Sequence, residues 1–92
     1  MTREEVMTMC DILDLPYEDL SKDETYKEGY DGIYIWDRKA YDEKKKHPRK
    51  KDLFVPYLRV SNFLADRVYI RDCGWTEWTS YDELKKKIKK LV

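Results

Sequence analysis

The sequence contains few of the residues on which catalytic and metal sites depend. Its 92 residues include one histidine, His47, two cysteines, Cys10 and Cys73, and three scattered glycines. A structural zinc site needs four ligands, and a phosphate-binding loop needs closely spaced glycines, so neither kind of site is expected. His47 lies within a run of cations and has no evident partner that would orient it as a general base. The sequence therefore predicts a non-enzyme that has no metal or cofactor.

Long apolar runs are also missing. The first ten residues, MTREEVMTMC, include acidic residues and lack the apolar core of a signal peptide. No segment approaches the roughly 20 apolar residues that a transmembrane helix requires. We therefore expect a soluble, cytoplasmic protein in which Cys10 and Cys73 are reduced, packed thiols. The sequence alone also permits a single disulfide between them.

Aromatic and charged residues are abundant. Eight tyrosines, three tryptophans and two phenylalanines are too many for a chain that never packs, and charged residues make up 41% of the sequence. The 19 basic and 19 acidic residues balance, but residues 1–32 hold ten acidic and three basic ones, so the charge is segregated. This composition predicts one small ordered domain over residues 1–92 with a charged, dipolar surface that can steer a partner.

Two segments have the start signals and apolar spacing of amphipathic helices. Thr2 with Glu5, and Ser80 with Glu83, match the S/T-x-x-E pattern of a capping box. In both segments the apolar positions that follow are spaced by three or four residues: Val6, Met9, Cys10 and Leu13, and then Tyr81, Leu84, Ile88 and Leu91. We predict a helix at each end of the chain. Pro16 should end the first helix and start a short helical turn over PYEDLSK.

The middle of the chain is typical of short strands. Residues 32–38, 53–60 and 67–72 are rich in β-branched and aromatic residues, and WTEWT at 75–79 is a candidate fourth strand. Pro56 cannot donate to a ladder, so the second strand is expected at an edge or at a bulge. The predicted fold is a small single α+β domain with an N-terminal helix, a three- or four-stranded antiparallel sheet and a C-terminal amphipathic helix.

Residues 41–52 form a basic segment that we predict to be a surface loop. Seven of the eight residues from 44 to 51 are lysine, arginine or histidine. The candidates for phosphate contact are Lys44, Lys45, Lys46, Arg49, Lys50 and Lys51. Flanking acids and a sequence pI near 6.6 argue against a dedicated nucleic-acid-binding domain, which is usually strongly basic. The other interpretation is a solvated loop without a ligand.

The alternation of residues along the strands divides the predicted sheet into two faces. One face is aliphatic and can carry the helices: Ile33, Ile35, Leu58, Val60, Val68 and Ile70. The other face has the residue types that dominate binding hot spots, and it is our candidate protein-binding site: Tyr34, Trp36, Tyr57, Arg59, Tyr69 and Arg71. The alternative is a second small core, covered by residues 15–31 or by the turn containing Trp75 and Trp78. These two tryptophans either pack against the last helix or anchor a partner.

These patterns favour binding over catalysis. The sequence predicts a small non-catalytic binding protein that acts as an adaptor, regulator or inhibitor of a larger macromolecule, with a protein as partner and no membrane contact. The alternative is a nucleic-acid-binding module that uses the basic segment and the tyrosine- and arginine-rich face.

Overall fold

The fold is built on a five-stranded antiparallel sheet. In the computed structural model the strands are β1 Tyr17–Asp19, β2 Ile33–Ile35, β3 Leu58–Ser61, β4 Val68–Asp72 and β5 Trp75–Thr79. The α-helices are α1 Arg3–Ile12, α2 Arg38–Lys46 and α3 Tyr81–Lys89, and two 3-10 segments span Leu20–Lys22 and Pro48–Leu53. The structure describes residues 1–72 and 74–92, and it describes the backbone alone for Lys51 and Asp52. The predicted α+β class is confirmed, with one strand more than expected.

Every strand pairs with its neighbour in the chain. The strand order is β1-β2-β3-β4-β5, so β1 and β5 form the two edges of the sheet. None of the helices in the described ranges is both long enough and apolar enough to cross a membrane, and the longest of them, α1, has 10 residues.

The core lies between one face of the sheet and the helices α1 and α3. The six aliphatic residues predicted for this face are all completely buried. Val6 and Cys10 of α1 join them, as do Leu84 and Ile88 of α3. Each fully buried aliphatic side chain contributes roughly 1.5–3 kcal/mol relative to an exposed one, so this layer supplies most of the hydrophobic stabilisation. We call the opposite side of the sheet the outer face.

Both predicted helix starts are observed. The Thr2 hydroxyl accepts a hydrogen bond from the Glu5 N–H and the Glu5 carboxylate accepts one from the Thr2 N–H, each at 3.2 Å, which completes the first capping box. At α3 the Ser80 hydroxyl accepts from the Glu83 N–H at 3.2 Å. These bonds satisfy N–H groups that have no partner inside the helix.

The predicted helical turn at PYEDLSK is wrong in its first half. Residues 17–19 form the edge strand β1, in which Tyr17 lies opposite Ile35 of β2. The Trp36 N–H also donates to the Pro16 carbonyl at 2.9 Å, which extends the pairing by one bond. Only Leu20–Lys22 form a helical turn. The pairing with β2 therefore overrides the local helix signal of Pro16.

The basic segment is helical where we predicted a loop. The Asp37 side chain caps α2 by accepting from the Ala40 N–H at 3.3 Å, and α2 runs to Lys46. It stops before Pro48, because the residue that precedes a proline is disfavoured in the helical conformation. The chain then continues as the 3-10 segment Pro48–Leu53.

The second predicted strand begins later than expected and lies in the middle of the sheet. Residues 53–57 are outside it, and β3 starts at Leu58, two positions after Pro56. Pro56 therefore needs no edge position, since it precedes the ladder. The strand predicted over 67–72 and the candidate strand over 75–79 are both observed, as β4 and β5.

Candidate binding site on the outer sheet face

The outer face carries a row of side chains set by strand register. Tyr34 of β2 lies opposite Arg59 of β3, and Arg59 lies opposite Arg71 of β4. These three residues line a cavity of about 330 Å³, and the other described residues that line it are Val55, Pro56 and Gly74. Three of the six predicted site residues therefore meet at one concave surface.

Arg59 and Arg71, which we call the arginine pair, lie directly opposite each other on the adjacent strands β3 and β4. Like charges at directly opposite positions destabilise a sheet. Within the described residues neither arginine has a carboxylate within salt-bridge distance, whereas Arg3 pairs with Asp19 and Arg38 pairs with Asp14. Two guanidinium groups that have no counter-ion in the described part of the chain, beside a cavity, form an arrangement suited to an anion from outside the chain.

The arginine pair gives the first prediction. Arg71→Gln is expected to raise the free energy of unfolding by about 0.5 kcal/mol, because it removes the repulsion from Arg59. Urea unfolding at low ionic strength measures the gain, which should shrink in about 0.5 M salt as screening increases. Arg49→Gln is the matched control. Arg49 is exposed and lies in the 3-10 segment, outside the strands, so this substitution should change stability little. A loss of stability in Arg71→Gln would show that Arg71 has a stabilising partner within the chain.

Tyr34 contacts Tyr26, which in turn stacks on Tyr30. The hydroxyls of Tyr26 and Tyr34 are hydrogen-bonded, and the rings of Tyr26 and Tyr30 are stacked with centroids 4.8 Å apart. The Tyr30 ring lies over Gly32, where a Cβ atom would overlap it. Burial raises the pKa of Tyr34 to about 12, and the hydrogen bond with Tyr26 adds to the effect, while the charge of Arg59 opposes it. Tyr34 therefore stays protonated at neutral pH, and its hydroxyl is engaged by Tyr26 while the residue lines the cavity.

Trp36 is not accessible, which corrects its assignment to an exposed binding site. Only 3% of its surface is exposed, because α2 covers it. Its indole Nε1 donates to Glu18 Oε1 at 2.5 Å, and the Lys44 amine lies 4.6 Å from the ring centroid. Tyr41 of α2 meets the ring edge-on at 5.8 Å. The outer face is therefore divided: α2 and Tyr26 cover its β1–β2 side, and the arginine pair lies beyond this cover.

The remaining two predicted residues lie outside the cavity. Tyr57 precedes β3, is partly buried and packs against the main core. Tyr69 is on the outer face and meets Trp78 of β5 edge-on at 5.2 Å. Arg67 stacks above the Trp78 ring at 4.8 Å. Tyr69, Trp78 and Arg67 make a second aromatic and cationic cluster next to the arginine pair.

Several cations of the basic segment contact partners within the chain, which the sequence did not indicate. The Lys44 amine lies 3.2 Å from Glu18 and above the Trp36 ring, so it already has partners within the chain. Lys45 lies over the Tyr41 ring at 4.6 Å, and Lys46 is 3.5 Å from Glu43. Arg49 and Lys50 are exposed, and the side chain of Lys51 lies outside the described residues.

Cys10 is a buried free thiol within the core. Burial raises its pKa to about 11, and the neighbouring Asp11 carboxylate adds to the rise. A thiol that stays protonated at neutral pH is a poor nucleophile, which agrees with a packing role. Cys73, its predicted fellow thiol, lies outside the described residues.

The cavity walls and the tyrosine cluster were not identified from the sequence. Val55 and Pro56 belong to a segment that we predicted as strand, and Gly74 has no side chain to suggest a site. The spacing of Tyr26, Tyr30 and Tyr34 at intervals of four residues is the one signal that could have indicated the cluster. Comparisons with protein families, with curated proteins and with solved structures find no match to this chain.

Proposed function

We propose that this chain is a small non-catalytic binding protein that acts as an adaptor, regulator or inhibitor of a larger protein. The observation that carries the proposal is the arginine pair at the cavity of the outer face. Such a pair is unfavourable in the free protein, and a bound carboxylate would offset the repulsion by accepting a charge-assisted hydrogen bond from each guanidinium group. The proposed partner therefore presents an aspartate or glutamate side chain to the pair.

The surroundings of the arginine pair favour a protein over a nucleic acid. Val55 and Pro56 give the cavity an apolar wall, and Val55 and Leu53 are exposed by 72% and 75%. An aliphatic or aromatic residue next to the partner's carboxylate would fill this apolar space, whereas a phosphate backbone would not. Trp78 and Tyr69 extend the same surface with residue types that dominate protein–protein hot spots.

The second prediction tests the proposal by affinity capture. The tagged chain is incubated with a lysate of its source cells, with and without nuclease treatment of the lysate. The captured proteins are then identified by mass spectrometry. We expect the double variant Arg59→Gln/Arg71→Gln to lose the captured protein, since truncating a hot-spot residue costs on the order of 2 kcal/mol, about thirtyfold in affinity. Capture by the unmodified chain should not depend on nuclease.

The matched control removes the same charge elsewhere. Arg49→Gln/Lys50→Gln also lowers the net charge by two, but it leaves the outer face intact, so it should retain the captured protein. Equal capture by both double variants would overturn the assignment of the outer face. Capture that disappears after nuclease treatment would favour the alternative function.

The alternative is a nucleic-acid-binding module, and it rests on the exposed cations at the end of α2 and in the segment that follows: Lys45, Lys46, Arg49 and Lys50. As a third prediction, four phosphate contacts would give a slope of about −4 in a plot of log affinity against log salt concentration. Fluorescence anisotropy with labelled single- and double-stranded DNA and RNA measures it. Replacing the four residues by serine should flatten the slope without unfolding the protein. No measurable binding at low salt excludes this alternative.

A further inference from the structure

The strand β5 has one unpaired side. It pairs with β4 and forms an edge of the sheet. Strands β4 and β5 are separated by two positions, and residues that flank such a connection form a hydrogen-bonded pair, here Asp72 with Trp75. The alternation then directs the N–H and C=O groups of Thr76 and Trp78 away from β4. In the described part of the chain, no backbone hydrogen bond reaches these outward groups.

The β5 edge lacks most of the features that usually prevent an edge strand from pairing with another chain. Natural edges are short, or carry lysine or proline, or are covered by another element. The opposite edge, β1, has only three residues, whereas β5 has five and contains no lysine or proline. Its one charged residue is Glu77, which lies on the side of the sheet that carries α1 and α3.

Two tryptophans lie along the open edge. Trp75 is 78% exposed and Trp78 is 44% exposed, although tryptophan is among the residues with the most apolar surface to bury. They project on opposite sides of β5, because they differ by an odd number of positions. A strand added to β5 would therefore find one aromatic side chain on each face of the extended sheet.

We propose that β5 accepts an extended segment of the protein partner as a sixth strand of the sheet. The inference rests on the proposed function and specifies how the partner binds. Main-chain hydrogen bonds to Thr76 and Trp78 would supply affinity, as in other cases of strand addition. Side chains that alternate between the faces would supply specificity: an acidic residue beside Thr76 extends toward Arg71, and a basic residue beside Trp75 or Thr79 can reach Glu77.

A second copy of this chain is a less suitable occupant. When two β5 strands pair antiparallel about their common centre, the two Glu77 carboxylates lie opposite each other, which is unfavourable. A partner strand with a basic residue at that position avoids this repulsion. Charge complementarity therefore favours a different protein.

The test uses a phage-displayed library of random peptides of about 12 residues, selected on the folded chain. Thr76→Pro removes only an N–H that points outward, and edge strands tolerate proline at such positions. Thr76→Val is the matched control, because it keeps the N–H. We expect the selected peptides to bind the unmodified chain and Thr76→Val equally and to bind Thr76→Pro at least about tenfold more weakly. In the complex, the Thr76 and Trp78 amides should exchange with solvent more slowly.

The other outcomes contradict the inference, each in a distinct way. Peptides that bind Thr76→Pro as well as the unmodified chain, or a library that gives no binder, overturn strand addition. If peptides that bind Thr76→Pro still require Arg59 and Arg71, the proposed function survives and only the proposed mode of binding, strand addition, is wrong. Sedimentation that shows a dimer of the chain alone, dissociated by Thr76→Pro, would identify a second copy as the occupant and overturn the choice of partner.

Discussion

Ile88→Asp is expected to leave most of the protein unfolded at room temperature without denaturant. Ile88 is completely buried in the core between α3 and the sheet. The variant loses an aliphatic contact and places a carboxylate without a partner in an apolar layer. Together these effects cost roughly 5 kcal/mol, which is comparable to the whole stability expected of a domain this size. Far-ultraviolet circular dichroism and urea unfolding measure the loss.

Lys86→Glu is the matched control on the same helix. The Lys86 amine lies 3.3 Å from Glu83 on an exposed surface, so its loss should change stability by less than about 1 kcal/mol. Lys87 is not an equivalent control, although it also lies in the lysine-rich part of α3. Its amine is 3.4 Å from Asp72, and both side chains are about a quarter exposed, so Lys87→Glu should cost more. An Ile88→Asp variant with native stability would show that α3 does not pack on the sheet.

Trp36→Ala is expected to lower the free energy of unfolding by roughly 3–5 kcal/mol. The indole fills the space between β2 and α2, donates to Glu18 and lies beneath the Lys44 amine. Its removal leaves a cavity and deprives two charged groups of their common partner. Thermal and urea unfolding measure the change, and detachment of α2 should appear as a loss of helical signal.

Trp75→Ala is the control for the loss of an indole as such. Trp75 is 78% exposed, so its truncation should change stability by less than about 1 kcal/mol. Similar losses in the two variants would contradict the assignment of the Trp36 effect to burial beneath α2.

The helices α1 and α3 were predictable because local signals agree there. Capping residues mark where each helix begins, and apolar side chains recur at helical spacing on the face that packs on the sheet. Helix α2 lacks such a stripe, since lysines occupy most of its second half. It is fixed instead by the Asp37 cap and by the contacts of Tyr41 and Lys44 with Trp36, a residue outside the helix. Those contacts are tertiary, so a local pattern cannot reveal them.

The strand β1 was missed for a related reason. Its three residues, Tyr-Glu-Asp, have little strand propensity, and its existence depends on pairing with β2 about fifteen positions later. At the candidate site, alternation correctly placed Tyr34, Arg59 and Arg71 on one face. The register that sets Arg59 directly against Arg71 and the cavity wall from Val55 and Pro56 required the three-dimensional structure.

The arginine pair, which has no ion-pair partner among the described residues, links ligand binding to the folding equilibrium. A ligand that binds the folded state alone raises the free energy of unfolding by RT ln(1 + [L]/Kd), about 2.7 kcal/mol at a concentration one hundred times Kd. Because the pair exists only when β3 and β4 are paired, an unfolded chain offers no such site. The melting temperature therefore reports occupancy of the pair, and candidate carboxylate ligands can be ranked by thermal shift before any natural partner is identified.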